Sequence, residues 1–185
     1  MREEAFQLKS LQFFKPHYMS LLTPHPIWRT AGYSPIKVSM ATTQALFLSG
    51  RYRCGALTRH WTPASQNGFC EMSLLCSETL EDIPHILQRC PALSNVRHSL
   101  LEFTQRFSSN LPPDLSNLIR ENCHPESPNF VNFLLDCSAL PAVIKLTQEF
   151  GPSILEPIFT VTRTWVYILH RERMKLLGRW RPVAN

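Results

Sequence analysis

The stretch from Cys70 to Cys90 constrains this chain more than any other. It places three of the six cysteines and one of the seven histidines within twenty-one residues, in the order Cys-x5-Cys-x8-His-x4-Cys. Three thiolates and one imidazole make the closed tetrahedral ligand set of a structural zinc site. We therefore predict that Cys70, Cys76, His85 and Cys90 bind a structural Zn²⁺ ion and leave no position open for catalysis.

The residues around His85 predict where the second pair of ligands lies. Asp82 is a favourable N-cap and Pro84 suits a first turn, so we expect a short helix to begin at Asp82. His85 and Cys90 are five residues apart, which is about 140° of rotation on an ideal α-helix, and they cannot share a face in mid-helix. Because Pro91 stops a helix, Cys90 is expected at the helix end.

The other cysteines and the composition indicate a reducing, aqueous setting. Cys54, Cys123 and Cys137 stand apart from one another and are expected to be small buried side chains. Apolar content of 44% and charged content of 18% are typical of a folded soluble protein. No signal-like segment and no uncharged apolar run of about 18 residues is recognisable. We expect a nuclear or cytoplasmic protein with no membrane partner.

Apolar residues repeat at intervals of three and four, which predicts a mainly α fold. We divide the sequence into an irregular proline- and aromatic-rich lead-in, a helix plus zinc-knuckle module, a variable region of short helices, and a long basic C-terminal helix, at residues 1–36, 37–107, 108–152 and 153–185. The first helix is expected to stop at Gly50. Its buried face is expected to carry Val38, Ala41, Ala45 and Leu48, with Thr43 and Gln44 opposite.

Charge is distributed unevenly along the chain. Residues 1–70 carry eight basic and two acidic side chains, residues 71–162 five and eleven, and residues 163–185 six and one. Two basic ends around an acidic middle favour an anionic partner. The alternative is that the two ends neutralise the middle within the fold.

Arginines interleaved with aromatic residues in the segment 51–61 are typical of proteins that hold a phosphate backbone and stack on bases. The basic half of the last helix is expected to lie along the same ligand, although basic residues there also complement the helix dipole. The candidate nucleic-acid contacts are Arg51, Tyr52, Arg53, Arg59, Trp61, Arg163, Arg171, Arg173, Lys175 and Arg179.

No catalytic constellation is recognisable in the sequence. Its three aspartates, Asp82, Asp114 and Asp136, lie too far apart to form a paired-aspartate motif for two-metal chemistry. A glycine-rich phosphate loop and a nucleophile elbow are not found either. We therefore do not expect an enzyme.

Residues 39–53, 57–61 and 70–93 together resemble the region that follows the reverse transcriptase in non-LTR retrotransposon polyproteins. In that family a helix ending in a Gly-Arg-Tyr-like turn precedes a Cys-Cys-His-Cys zinc knuckle. Residues 163–180 resemble the extreme C-terminus of such elements, especially those of invertebrate animals. The resemblance covers residues 8–107 and 155–180. One departure is the Cys-x5-Cys spacing, where the family often has Cys-x2-Cys.

The resemblance implies a module that grips template RNA or target DNA during target-primed copying, next to the rest of a reverse transcriptase. Polymerase aspartates and an endonuclease domain are not recognisable, so the chain is expected to be a fragment without catalysis. Two alternatives stay open. One is a protein-interaction module that holds a structural zinc and docks its basic ends on an acidic protein. The other is a non-functional relic of a transposable element.

Overall fold

The computed structural model describes residues 25–58 and 68–178, and these residues are mostly helical. Within these ranges the α-helices are α1 Pro26–Arg29, α2 Pro35–Leu48, α3 Gly55–Thr58, α4 Ser94–Ser108, α5 Pro113–Asn122, α6 Phe130–Asp136, α7 Pro141–Phe150 and α8 Leu155–Leu176. Short 3₁₀ segments occupy Leu74–Cys76, Pro91–Leu93, Cys137–Ala139 and Pro152–Ile154, and a π turn occupies His85–Arg89. The mainly α class is confirmed.

Helix α8 is the centre of the fold and packs against α2, α4 and α6. Ile158, Trp165 and Leu169 form its inward face and are fully buried. The Trp165 indole N–H donates to Thr104 Oγ1 on α4 at 2.8 Å, and its ring meets Phe130 of α6 edge to face at 5.3 Å. Helices from the second, third and fourth predicted segments therefore share one core.

The buried face of α2 matches the predicted one only in part, since Ala41 and Leu48 are buried as predicted. Gln44 is fully buried and Thr43 nearly so, whereas Val38 is 38% exposed. The Gln44 amide nitrogen donates to the Leu134 carbonyl at 2.5 Å and to Thr162 Oγ1 at 3.2 Å. A hydrogen-bonded amide is tolerated in a core. Because apolar residues occur on both sides of α2, periodicity alone did not determine which side packs inward.

The predicted helix stop at Gly50 is confirmed. Gly50 follows α2 with a φ of 65°, and Gly151 follows α7 with a φ of 82°. Residues with a side chain rarely adopt these angles. In the described part of the lead-in, the short helix α1 buries Ile27 against the core. Residues 1–24 lie outside the described ranges.

No single helix in residues 25–58 and 68–178 is long and apolar enough to cross a membrane. Helices α6 and α7 meet the length and composition criteria only as a pair, with a bend of 44° between them.

Candidate metal centre

Cys70 and Cys76 lie on a loop that backbone pairing closes at its base. Phe69 and Leu80 form an antiparallel bridge. The Cys70 N–H donates to the Thr79 carbonyl at 2.9 Å, and the Thr79 N–H donates to the Cys76 carbonyl at 2.9 Å. These bonds bring the ends of the five-residue spacer together. The Glu81 N–H also donates to the Gly68 carbonyl at 3.0 Å, and we refer to residues 68–81 as the metal loop.

His85 and Cys90 lie on a short helical turn that Asp82 caps as predicted. Asp82 Oδ1 accepts the His85 N–H at 2.6 Å. The turn is a π turn, in which the Cys90 N–H donates to the His85 carbonyl at 2.7 Å. In a π turn the hydrogen bond joins residues that are five apart in the sequence, so His85 and Cys90 are separated by one full turn of a wider helix. The separation of about 140° expected for an α-helix therefore does not apply. The position of Cys90 at the end of the turn is confirmed.

The four predicted ligands converge. Their candidate ligand atoms all lie within 4.8 Å of one another, and all four residues are buried. The Cys90 sulfur is 3.8 Å from the Cys70 sulfur and 3.9 Å from the Cys76 sulfur. These distances are much longer than the ~2.05 Å of a disulfide bond, and the cysteines are free thiols. The group can hold a metal ion.

The protonation chemistry of the cluster also fits a cation. His85 Nε2 is buried without a hydrogen-bond partner, which is costly unless the atom meets a ligand. Burial lowers the pKa of His85, so its imidazole is neutral, as a metal ligand must be. Burial raises the pKa of the Cys70 and Cys90 thiols. A bound cation stabilises the thiolates and releases their protons.

Arg97 supports the cluster from the first turns of α4. Its guanidinium is buried, and Nη2 donates to the Cys90 backbone carbonyl at 2.5 Å. Burial lowers the pKa of Arg97, while the neighbouring Cys90 acts in the opposite direction. A divalent ion with three thiolates carries one net negative charge, which a buried guanidinium balances. Arg97 therefore both fixes Cys90 and offsets the charge of the ligands.

The three remaining cysteines are buried outside the cluster, as predicted. Cys54 is 2% exposed, and Cys123 and Cys137 are fully buried. Burial raises the pKa of the Cys123 and Cys137 thiols, so they are protonated and weakly reactive.

A buried ion pair ties the metal loop to α8. Glu81 Oε1 and Oε2 accept from Arg173 Nε at 2.9 Å and Nη2 at 2.7 Å, and each side chain is 5% exposed. Arg173 Nη1 donates to the Tyr52 hydroxyl at 3.4 Å, and that hydroxyl lies 2.9 Å from His170 Nδ1. The Gly55 N–H donates to Glu81 Oε2 at 2.8 Å. We call these five residues the Glu81 network.

The Glu81 network sets the charge states of its members. Burial raises the pKa of Tyr52 to about 12, although Arg173 acts to lower it. Burial alone lowers the pKa of Arg173, but hydrogen bonds and charges from Glu81 and Tyr52 raise it overall. Burial, and then the charge of Arg173, lowers the pKa of His170. At neutral pH the hydroxyl is therefore protonated, the imidazole is neutral and the guanidinium is charged.

Gly55 allows the chain before the metal loop to touch it. A Cβ at this position would lie 2.2 Å from the Gly68 carbonyl oxygen, a separation that real side chains do not show. The next backbone N–H, of Ala56, donates to the Glu81 carbonyl at 3.0 Å. This direct backbone contact positions the segment from 51 to 56 against the metal loop.

Three predicted nucleic-acid contacts are buried and have structural roles instead. Tyr52 and Arg173 belong to the Glu81 network, at 4% exposure each. Arg163 is 1% exposed, and its Nη1 donates to Thr30 Oγ1 at 2.9 Å and to the Ile27 carbonyl at 3.4 Å. A phosphate cannot reach side chains that the fold covers. The expectation that they face a ligand is therefore corrected.

The remaining described candidates lie on two segments, residues 51–53 and the last turns of α8, which Tyr52 connects. Arg51, Arg53 and Lys175 are exposed, and Arg171 is half-buried, with its guanidinium 5.9 Å from the Tyr167 ring. Because Tyr52 contacts both His170 and Arg173, the segment 51–53 lies beside the last turns of α8. We call Arg51, Arg53, Arg171 and Lys175 the basic end. Arg59, Trp61 and Arg179 lie outside the described residues.

Comparisons with protein-family models, with curated proteins and with solved structures found no match to this chain.

Proposed function

We propose that this chain is a zinc-stabilised nucleic-acid-binding module. The observation that carries the proposal is a continuous chain of contacts. The metal loop ends at Glu81, and Glu81 binds Arg173. Arg173 and His170 contact Tyr52, which lies between Arg51 and Arg53 in the sequence. A metal ion that fixes the loop therefore also fixes the two sequence segments that form the basic end.

Zinc is the metal that best matches the ligand set. Three thiolates and one imidazole are typical ligands of structural zinc, and Zn–S bonds of about 2.3 Å in a tetrahedron separate the sulfurs by about 3.8 Å. The Cys90 sulfur lies 3.8 and 3.9 Å from its two sulfur neighbours. Four protein ligands leave no position for a reactive water, so the role we propose for zinc is structural.

The charges of the basic end support an anionic partner. Residues 25–58 contain Arg29, Lys37, Arg51 and Arg53 and no aspartate or glutamate. Lys37 is paired with Glu156 at 3.4 Å, whereas Arg29, Arg51 and Arg53 are exposed. Exposed arginines bind phosphates through release of counterions. RNA or DNA is the partner with this charge pattern.

The resemblance set out above supplies the biological setting that we propose. The module would derive from the region after the reverse transcriptase of a non-LTR retrotransposon. It would grip template RNA or target DNA beside the rest of that enzyme, in the nucleus or cytoplasm, without catalysing a reaction. The order of motifs in residues 39–93 and 163–180 supports this origin.

Replacing Arg51 and Arg53 together by alanine is expected to lower the affinity for nucleic acid. It should also make that affinity less dependent on salt concentration. Each lost phosphate contact reduces the slope of log affinity against log salt by about 0.9 for duplex DNA or about 0.7 for a single strand. Fluorescence anisotropy with a labelled oligonucleotide, over about 50 to 200 mM salt, measures this slope. Two lost contacts lower it by about 1.4 to 1.8.

The matched control replaces Arg106 and Arg120, which are exposed arginines on α4 and α5. That double variant has the same net charge as the first one but keeps the basic end, so we expect nearly normal binding. Equal losses in both variants would mean that overall charge, and not the basic end, determines affinity. Wild-type binding that does not depend on salt would contradict the proposal. A protein complex that survives nuclease would then favour the interaction-module alternative.

A further inference from the structure

A mostly apolar groove of about 330 Å³ lies between α1 and α2, directly beside the basic end. Trp28 of α1 lines it, together with Ala45, Leu46 and Leu48 of α2. Arg51 also lines it, so the groove and the basic end share a residue. Trp28 is 42% exposed and Leu46 is 40% exposed, which leaves a large aromatic and an aliphatic side chain open to solvent.

The groove follows from the way α2 packs. Because Gln44 and Phe47 take the inward positions, Leu46 is left on the outer side of the helix. Trp28, which is also partly exposed, lines the same groove. Large apolar side chains gathered at one exposed site typically mark a binding surface.

The charge around the groove restricts what can occupy it. Residues 25–58 contain no acidic side chain, and the exposed charged residues nearest in sequence to Trp28 and Leu46 are Arg29 and Arg51. An apolar floor with the exposed Arg51 at its edge fits a ligand that is flat or apolar in one part and anionic in another. A nucleotide has both properties, in its base and its phosphate.

We propose that this groove receives an unstacked base of a single-stranded nucleic acid, with the adjoining phosphates passing over Arg51 toward Arg53. The inference rests on the proposed function and adds to it a strand preference and a base-binding site. Proteins that bind single strands combine a cationic track with aromatic side chains on which bases stack. Trp28 supplies the stacking surface, and the basic end supplies the track. A duplex keeps its bases stacked and can use only the track.

The test compares a single strand with a duplex. Labelled oligo-dT of twelve nucleotides and a hairpin duplex with a similar number of phosphates are titrated against the wild type and Trp28→Ala. We expect Trp28→Ala to weaken binding of the single strand by about 5- to 150-fold, the range measured for loss of one stacked base. The affinity of Trp28→Ala for the hairpin, and the slope of its log affinity against log salt, are expected to equal those of the wild type. Trp28→Phe, which keeps an aromatic ring, should restore most of the loss.

Two controls separate this inference from general effects. Tyr33→Ala removes a fully exposed aromatic residue that does not line the groove, and it should change neither affinity. A strand of abasic spacers keeps the phosphates but has no base. It should bind the wild type and Trp28→Ala equally.

The outcomes also distinguish the groove from the proposed function. If the wild type binds neither oligonucleotide, both the groove and the nucleic-acid function are contradicted. If it binds both but Trp28→Ala binds the single strand as well as the wild type does, only the groove is contradicted. An apolar segment of an acidic partner protein would then be the better candidate occupant.

Discussion

A Cys90→Ala variant is expected to lose its zinc and at least about 5 kcal/mol of unfolding free energy. Zinc contributes about 10–16 kcal/mol to the folding of isolated zinc-finger peptides, and whole domains are stable by only about 5–15 kcal/mol. The Cys90 sulfur lies close to both other ligand sulfurs, at 3.8 Å from that of Cys70 and 3.9 Å from that of Cys76. For a chain of this size the loss corresponds to a fall in Tm of about 10–20 °C.

Cys123→Ala is the matched control, because Cys123 is also a fully buried cysteine but lies outside the cluster. Removing its sulfur leaves a small cavity that costs on the order of 1 kcal/mol. Thermal unfolding is followed by circular dichroism with one equivalent of zinc and with a chelator. The chelator should destabilise the wild type and Cys123→Ala but leave Cys90→Ala unchanged. Identical wild-type melting curves in the two conditions would contradict a structural metal.

Replacing Arg173 by methionine is expected to destabilise the protein by about 3–5 kcal/mol, because it leaves the Glu81 carboxylate buried without its partner. The two side chains are each 5% exposed and joined by two hydrogen bonds, of 2.7 and 2.9 Å. Lys175→Met, two residues further along α8, is the control. Lys175 pairs with Glu172 at the surface at 2.9 Å, and such pairs contribute less than about 1 kcal/mol.

A double-mutant cycle with Glu81→Gln tests whether the effect comes from the ion pair. Glutamine keeps an oxygen that can accept the Gly55 N–H but removes the charge that Arg173 needs. Urea unfolding of the four proteins should give a coupling energy within the ~0.5–3 kcal/mol typical of residues in contact. Additive effects would show that Arg173 stabilises α8 by packing alone. They would also remove the link we draw between the metal loop and the basic end.

The metal centre was predictable because its residues lie close together in the sequence. Cys70, Cys76, His85 and Cys90 carry their chemistry in a spacing that can be read without knowing the fold, and Asp82 marked the start of the turn. The π turn was not predictable, since only the hydrogen bond between Cys90 and His85 distinguishes it from the end of an α-helix. The wider turn is what brings His85 and Cys90 to the same side of the helix.

The long-range contacts had no signal in the sequence. Arg163 and Arg173 lie on a helix whose second half is basic, so they were interpreted as surface residues. Their burial depends on Thr30 and Glu81, which are 133 and 92 residues away in the chain. Gln44 was placed outside for the same reason, because its partners Leu134 and Thr162 belong to other helices. Polar side chains are assigned to the surface by default, and only a structure shows where they are satisfied in a core.

X-ray absorption at the zinc K edge tests the central claim most directly. The purified protein is expected to hold one zinc per chain with three sulfur ligands at about 2.3 Å and one nitrogen at about 2.0–2.1 Å. This result would match the closed site that Cys70, Cys76, His85 and Cys90 form. A zinc coordinated mainly by oxygen, or a folded protein that binds no zinc, would contradict the account.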